Sequence, residues 1–162
     1  MRITEKMNYY NQTAKGYNEL HEEEQLKKIR IIEENLEVSG SLLDIGAGTG
    51  ISTKPFLKKA TCFSLDPSEE LLKQSPAIKV LGSAENLPFS DSTFDIIISV
   101  SAIHHFNLEK AILEIKRVSK SSTKYSFTIL KKANNFENIK NLLKSNFNLR
   151  EFEDEKDLIL IS

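Results

Sequence analysis

Three groups of residues in this sequence combine types and spacings that could do chemistry. The first is the run Leu42-Leu43-Asp44-Ile45-Gly46-Ala47-Gly48-Thr49-Gly50. Glycine lets backbone approach a ligand without a Cβ and tolerates positive φ. An apolar strand that runs into such a loop and then into a helix can hold a carboxylate at unpaired N–H groups. Any tight strand-to-helix turn can also use glycines, so the loop alone leaves both readings open. The second is Asp66, about 20 residues beyond Gly46, where a carboxylate can accept both hydroxyls of a ribose. The competing role is a helix cap, because Asp66-Pro67-Ser68-Glu69 also reads as a helix start with a capping box. The third is Ile103-His104-His105-Phe106. Two histidines there could take a proton from a substrate or orient it, with pKa values near working pH. Alternatively they tie the loop to the core.

The spacing of the glycine loop is G-x-G-x-G. The dinucleotide fingerprint is G-x-G-x-x-G, and Ile51 occupies the place of its last glycine. That argues against NAD, NADP and FAD, and so against an oxidoreductase on a similar sheet.

The elements around these residues alternate between strand and helix. Leu20, Leu26, Ile29, Ile32 and Leu36 recur at helical spacing and predict an amphipathic helix over about 19–37. Strands are expected at Ser41–Ile45, Thr61–Leu65, Ala77–Leu81, Phe94–Val100 and Lys124–Leu130. The run from Phe94 to Val100 is nearly continuous in apolar residues, as suits a central parallel strand buried on both faces. Helices are expected at about 52–59, with Pro55 in the first turn, from Asp66 onward, from Leu108 to Val118 and from Phe136 to Leu143. The last two pieces, Asn148–Glu153 and Asp157–Ser162, are joined by a turn short enough only for an antiparallel hairpin. Repeated strand–helix–strand units imply a parallel sheet with right-handed crossovers. Ligands in such sheets bind beyond the carboxyl ends of the strands. The loops after the first, second and fourth strands should therefore hold the site.

With these elements in place, the sequence resembles the class I S-adenosylmethionine-dependent methyltransferases. The glycine run looks like their first motif, and Leu65-Asp66-Pro67-Ser68-Glu69-Glu70-Leu71-Leu72 resembles their second. The segment from Gly82 to Asp95 resembles the stretch after their third strand. That family holds the adenine there, commonly with an acidic residue where this chain has Ser83. Tyr10-Asn11-Gln12-Thr13-Ala14-Lys15-Gly16-Tyr17-Asn18 resembles the entry helix of the quinone-biosynthesis (type 11-like) group, with asparagine at both acidic positions. The Ile-His-His-Phe run is similar to that of tRNA wobble-uridine methyltransferases and also occurs in members acting on small molecules. The Asn-Pro-Pro-aromatic motif of amide-methylating groups is absent.

The resemblance implies a Rossmann-like seven-stranded sheet in the order 3-2-1-4-5-7-6 with strand 7 antiparallel. It also implies a single domain over residues 1–162 with a helical lid segment at about 5–38. The implied cofactor is S-adenosylmethionine, with Tyr10, Tyr17, Asp44, Gly46, Ala47, Gly48, Gly50, Asp66, Pro67, Ser83, Ala84, Glu85 and Ser99 as candidate contacts. His104 and His105 are the catalytic candidates, and no metal is expected. A non-catalytic cofactor-binding scaffold is the alternative from outside the enzymes.

The 162 residues are 40% hydrophobic and 28% charged. This composition suits one globular domain. No apolar run approaches the roughly 20 residues that span a bilayer. The first residues are charged rather than signal-like, and the single cysteine, Cys62, falls in an expected strand. A buried, inert thiol and a cytoplasmic location are therefore expected. Net charge is −1, but its distribution is uneven. From Lys116 to Arg150 the charges are basic except for Glu137. Such a stretch can meet an anionic partner or simply solvate a surface. With no long insertion to enclose a small acceptor, RNA or protein is favoured as acceptor over a metabolite. A small activator protein, as some RNA- and protein-methylating relatives use, is a further expected partner.

Overall fold

The computed structural model describes residues 21–162. A helix over residues 21–35, α1, leads into the sheet. The strands are β1 (Ser41–Ile45), β2 (Thr61–Asp66), β3 (Ile78–Leu81), β4 (Phe94–Ser99), β5 (Ser119–Leu130), β6 (Arg150–Glu153) and β7 (Asp157–Ile161). The helices among them are α2 (Glu69–Leu72), α3 (Leu108–Val118) and α4 (Phe136–Asn146). The seven strands form one sheet in the order β3-β2-β1-β4-β5-β7-β6. β1 to β5 pair in parallel, and β7 runs antiparallel to both β5 and β6. This is the order and the orientation that the sequence implied.

Period-2 alternation divides the core between the two faces of the sheet. Leu42, Ile96, Ile98, Ile159 and Ile161 point to one side and pack with Ile32 of α1, with Leu36 just beyond it and with Phe56. Leu43, Ile45, Ile97, Phe127 and Leu160 point to the other and pack with α3 and α4. The apolar stripe of α3 (Leu108, Ala111, Ile112, Ile115, Val118) is buried along its whole length, and Asn107 caps it by accepting the Lys110 N–H.

Local structure differs from expectation in three places. The segment expected as a helix over 52–59 forms only a 3-10 turn, Lys54–Phe56. The Ser52 and Thr53 hydroxyls both turn back to Asp44, at 2.5 and 2.7 Å, and Pro55 has no N–H to donate to the carbonyl one turn earlier. Short hydroxyl side chains that bond nearby groups compete with helix in this way. The cap of α2 is Ser68, which accepts the Leu71 N–H, not Asp66. Finally, β5 starts at Ser119, directly after α3, with a register shift opposite Phe94 and Ile96.

Candidate functional site

Gly46, Gly48 and Gly50 all have positive φ, at 75°, 56° and 84°. They differ in what surrounds them. A Cβ on Gly46 would lie 2.5 Å from the Ala102 methyl, and one on Gly50 would lie 2.5 Å from Ser75 Oγ. Those two glycines let the loop pack against its own neighbours. A Cβ on Gly48 would meet only a Leu71 methyl at 3.9 Å. Gly48 alone shows bare backbone to open space. Four amides of the loop are already bonded. Gly46 and Ala47 N–H donate to the Leu65 carbonyl, Gly50 N–H donates to Ala47, and Gly48 N–H donates to Asp66 Oδ2 at 2.9 Å.

Asp66 therefore ties the loop to β2. Its other oxygen accepts the Ser68 N–H at 2.8 Å. Each oxygen keeps lone-pair capacity for a second donor. Asp44 lies beneath the loop at 0% exposure. Its Oδ2 takes both hydroxyls, and Oδ1 has no partner among the described residues. Burial, only partly offset by those hydroxyls, pushes the Asp44 carboxyl up to about 6.

The remaining cofactor candidates are placed as follows. The buried Ser99 hydroxyl donates to the Ile45 carbonyl at 2.8 Å and joins β4 to β1. Glu85 Oε1 accepts the Asn107 N–H at 2.7 Å, just ahead of α3. Ala84 is buried, Pro67 is exposed, and Ser83 bridges to Asn86 in the turn after β3. Tyr10 and Tyr17 lie outside the described residues.

Sequence reasoning missed Arg117, which fixes the segment after β3. It donates to the carbonyls of Leu87 and Phe89 and pairs with Glu114 and Asp91. A lone basic residue at the end of a helix gave no signal of that role.

A cleft of about 580 Å³ opens beside His104 and His105, between α1, the β4–α3 loop, the end of β5 and the β6–β7 turn. No glycine of the loop lines it. The two imidazoles tilt against each other with centroids 4.1 Å apart. Burial and the neighbouring His105 hold the His104 pKa below its usual value. Ser101, at the turn after β4, has φ 58°, a conformation few non-glycine residues adopt. It is held there from both sides. Its N–H donates to Thr128 Oγ1 at 2.8 Å, and its Oγ accepts from Lys28 Nζ at 2.7 Å and lies 3.1 Å from Gln25 Nε2. Lys28 also pairs with Asp157 at 2.7 Å, with both side chains almost fully buried. Neither residue stood out in the sequence. They belong to elements at opposite ends of the described chain, and no local pattern joins them.

The basic stretch is largely neutralised within the fold. Lys131 pairs with Glu153, Lys140 and Lys144 with Glu151, and Lys120 with Asp95. Cys62 is buried in β2, where burial raises its thiol to about 11. Among the described residues no helix is long and apolar enough to cross a membrane, and no group of three or more His, Cys, Asp or Glu could hold a metal.

The geometry suits S-adenosylmethionine on two counts. Gly48 shows bare backbone where a ligand can approach, and the orphaned Asp44 oxygen calls for an N–H donor such as an amino group.

Residues 43–127 match the methyltransferase domain family. An uncharacterized protein of Methanocaldococcus jannaschii is 36% identical over 149 residues, covering 86% of this chain and 57% of that protein. The human probable tRNA methyltransferase 9B is 31% identical over 118 residues, covering 68% of this chain and 26% of that protein. The chain thus spans about half or less of the length of these relatives. Among solved structures, a Thermotoga maritima S-adenosylmethionine-dependent methyltransferase, described as a possible histamine N-methyltransferase, superposes with TM-score 0.73 at 18% identity, covering 94% of both chains. A Haloferax volcanii complex between a methyltransferase and its activator gives TM-score 0.67 at 19% identity, covering 88% of this chain and 75% of that one. The match over more than half of the sequence, on a sheet with this strand order, establishes that the chain belongs to the methyltransferase domain family.

Proposed function

We propose that this chain binds S-adenosylmethionine over the glycine loop and transfers its methyl group to an acceptor seated in the cleft beside His104 and His105. The observation that carries this reading is the pairing of Gly48 with Asp66. One contact sets bare backbone and a ribose-binding carboxylate side by side at the ends of β1 and β2. Asp66 accepts the ribose hydroxyls through its free lone pairs, and Asp44 Oδ1 faces the amino end of the cofactor. Backbone near Ser83 and Ala84 borders the adenine. The bound sulfonium supplies an already activated methyl group. The protein mainly positions the partners and excludes water. His104, whose pKa is lowered by burial and by His105, offers an imidazole lone pair to the acceptor's proton, and His105 borders the same space.

The acceptor favoured is RNA. The Ile103–Phe106 run and the similarity to a tRNA methyltransferase support it. The ion pairs of Lys131 and Lys140 narrow the basic surface, so Lys132, exposed and without a partner among the described residues, carries more of the electrostatic argument. An activator protein fits the same reading, since one structural neighbour is complexed with one. A small-molecule acceptor is the second reading. It is favoured by the cleft, whose volume lies in the range of ordinary ligand pockets.

Transfer of label from methyl-labelled S-adenosylmethionine separates enzyme from scaffold. Label in bulk tRNA, with binding that falls steeply as salt rises and weakens when Lys131, Lys132 and Lys140 are replaced by Glu, is the result expected. Label only in the small-molecule fraction, with no salt-dependent tRNA binding, selects the second reading. No transfer with or without host partners, despite tight cofactor binding, leaves the scaffold.

A further inference from the structure

Four buried side-chain atoms lack a hydrogen-bond partner among the described residues, and the residues of two of them, His104 Nδ1 and Asp157 Oδ1, line the same cleft. A carboxylate oxygen can only accept, and an imidazole nitrogen donates in one of its two neutral tautomers. Asp157 cannot turn its unpaired oxygen away, because Lys28 holds its other oxygen at 2.7 Å and is itself anchored to Ser101. Ser101 lies three residues before His104, on the same loop, in the constrained left-handed conformation described above. The ammonium, the carboxylate and the loop that carries the histidine are thus fastened together.

We propose that Asp157, fixed by Lys28, positions His104 by accepting its Nδ1–H through one bridging water, so that Nε2 turns its lone pair toward the methyl acceptor. The inference rests on the reading of the cleft as the acceptor site. In the transfer step the acceptor's heteroatom forms a bond to the methyl carbon. The carbon–sulfur bond breaks with its electron pair passing to sulfur, and the acceptor's proton moves to Nε2. Asp157 then faces the imidazolium so formed. A buried hydrogen bond that sets the tautomer is the usual way a histidine is oriented.

The charges around His104 agree with this placement. Burial and His105 lower its pKa, Asp157 raises it and Lys28 lowers it. Of the other groups at the cleft, Glu24 on α1 pairs with Lys156 of the hairpin, and Lys131 at the end of β5 pairs with Glu153. His21, Lys132 and Glu155 also line it.

The test is nitrogen-15 NMR of the histidine side chains in the full chain, with His104 assigned by His104→Gln. The expected result at alkaline pH is neutral His104 protonated on Nδ1. Asp157→Asn should lower its titration midpoint and Lys28→Met should raise it, with the acid limb of the methyl-transfer pH profile moving the same way. Protonation on Nε2 in the unmodified chain overturns the proposal, and so do shifts of the same sign in both variants. The tautomer of the unmodified chain decides even if both variants fail to fold. Cofactor affinity, measured by calorimetry on the same samples, tests the methyltransferase reading separately. Its absence alongside an Nδ1–H tautomer would count against that reading and not against the pairing.

Discussion

Asp44 and Asp157 are both buried, each with one oxygen lacking a partner among the described residues, yet their surroundings differ in kind. Asp44 sits below the glycine loop with two neutral hydroxyls on its other oxygen. Asp157 sits in the cleft wall with an ammonium at 2.7 Å. Neutral donors do not cancel the cost of burying a charge, so burial governs Asp44 and raises its carboxyl. A buried cation supplies charge of the opposite sign, and the two side chains then depend on each other. The glycine-loop half of the molecule thus leaves a buried acceptor with only neutral donors beside it. The cleft half carries its counter-charge within the fold.

The sharpest way to break this contrast is to remove one member of the buried pair. Asp157→Ala or Lys28→Ala should cost about 3–5 kcal/mol of stability, because each leaves an uncompensated buried charge. The double replacement Lys28→Met with Asp157→Leu should be far milder. Urea unfolding of the three variants checks this. Equal losses in the single and double variants would mean that the pair contributes no special dependence.

Asp44 offers a test by pH. Its carboxyl ionises near 3.8 in an unfolded chain and near 6 in the folded one. The folded state holds this proton more tightly. The stabilisation it gives is complete below about pH 3.8 and is lost as pH rises through 6. That loss amounts to about 3 kcal/mol. Other carboxylates, such as Glu114 and Asp95, have lowered pKa values and act in the opposite sense. The informative quantity is therefore the difference between the native chain and Asp44→Asn. In urea titrations from pH 4 to 7.5, the native chain should lose stability relative to the variant.

The glycine loop sharpens the comparison on the ligand side. Asp66→Ala removes an acceptor from the ribose and should weaken S-adenosylmethionine by about 1.5–3 kcal/mol, read by calorimetry. Gly48→Val should abolish binding by filling the space above the loop. Gly46→Ala should act on stability instead, since its Cβ meets Ala102 rather than open space. Binding unchanged in Asp66→Ala and Gly48→Val, with both folded, removes the basis for this cofactor site.

The smallest expected effect is at Cys62. Its buried thiol, raised to about 11, should resist an alkylating reagent at pH 8 in the folded chain and react on denaturation. Rapid labelling of the native protein would show that β2 opens.

The parts legible in the sequence are those whose signal is local. β1, α3 and the final hairpin followed from apolar periodicity, and the strand order followed from the resemblance carried by the glycine run and Asp66. The turn over 52–59 was misread as a helix because Ser52 and Thr53 serve Asp44, a partner that helical spacing does not reveal. Asp66 was half read. Its place after β2 was legible, but its bond to Gly48 shows only once β1 and β2 lie side by side. The basic stretch left a footprint and a solvating surface both open, because Glu151 and Glu153, which pair with several of its lysines, come later in the chain. Lys28 and Asp157 gave no signal, since nothing in either neighbourhood marks a buried charge.

The tie between α1 and β7 also bears on how the protein is made. A ribosome adds about 5–20 residues per second, so Lys28 emerges several seconds before Asp157 exists. Until then its ammonium has no carboxylate to meet and must stay hydrated, which keeps that turn of α1 from settling against the sheet. The wall of the cleft therefore cannot close before β7 is made, and until then Ile159 and Ile161 are missing from the apolar cluster that covers Ile32 of α1.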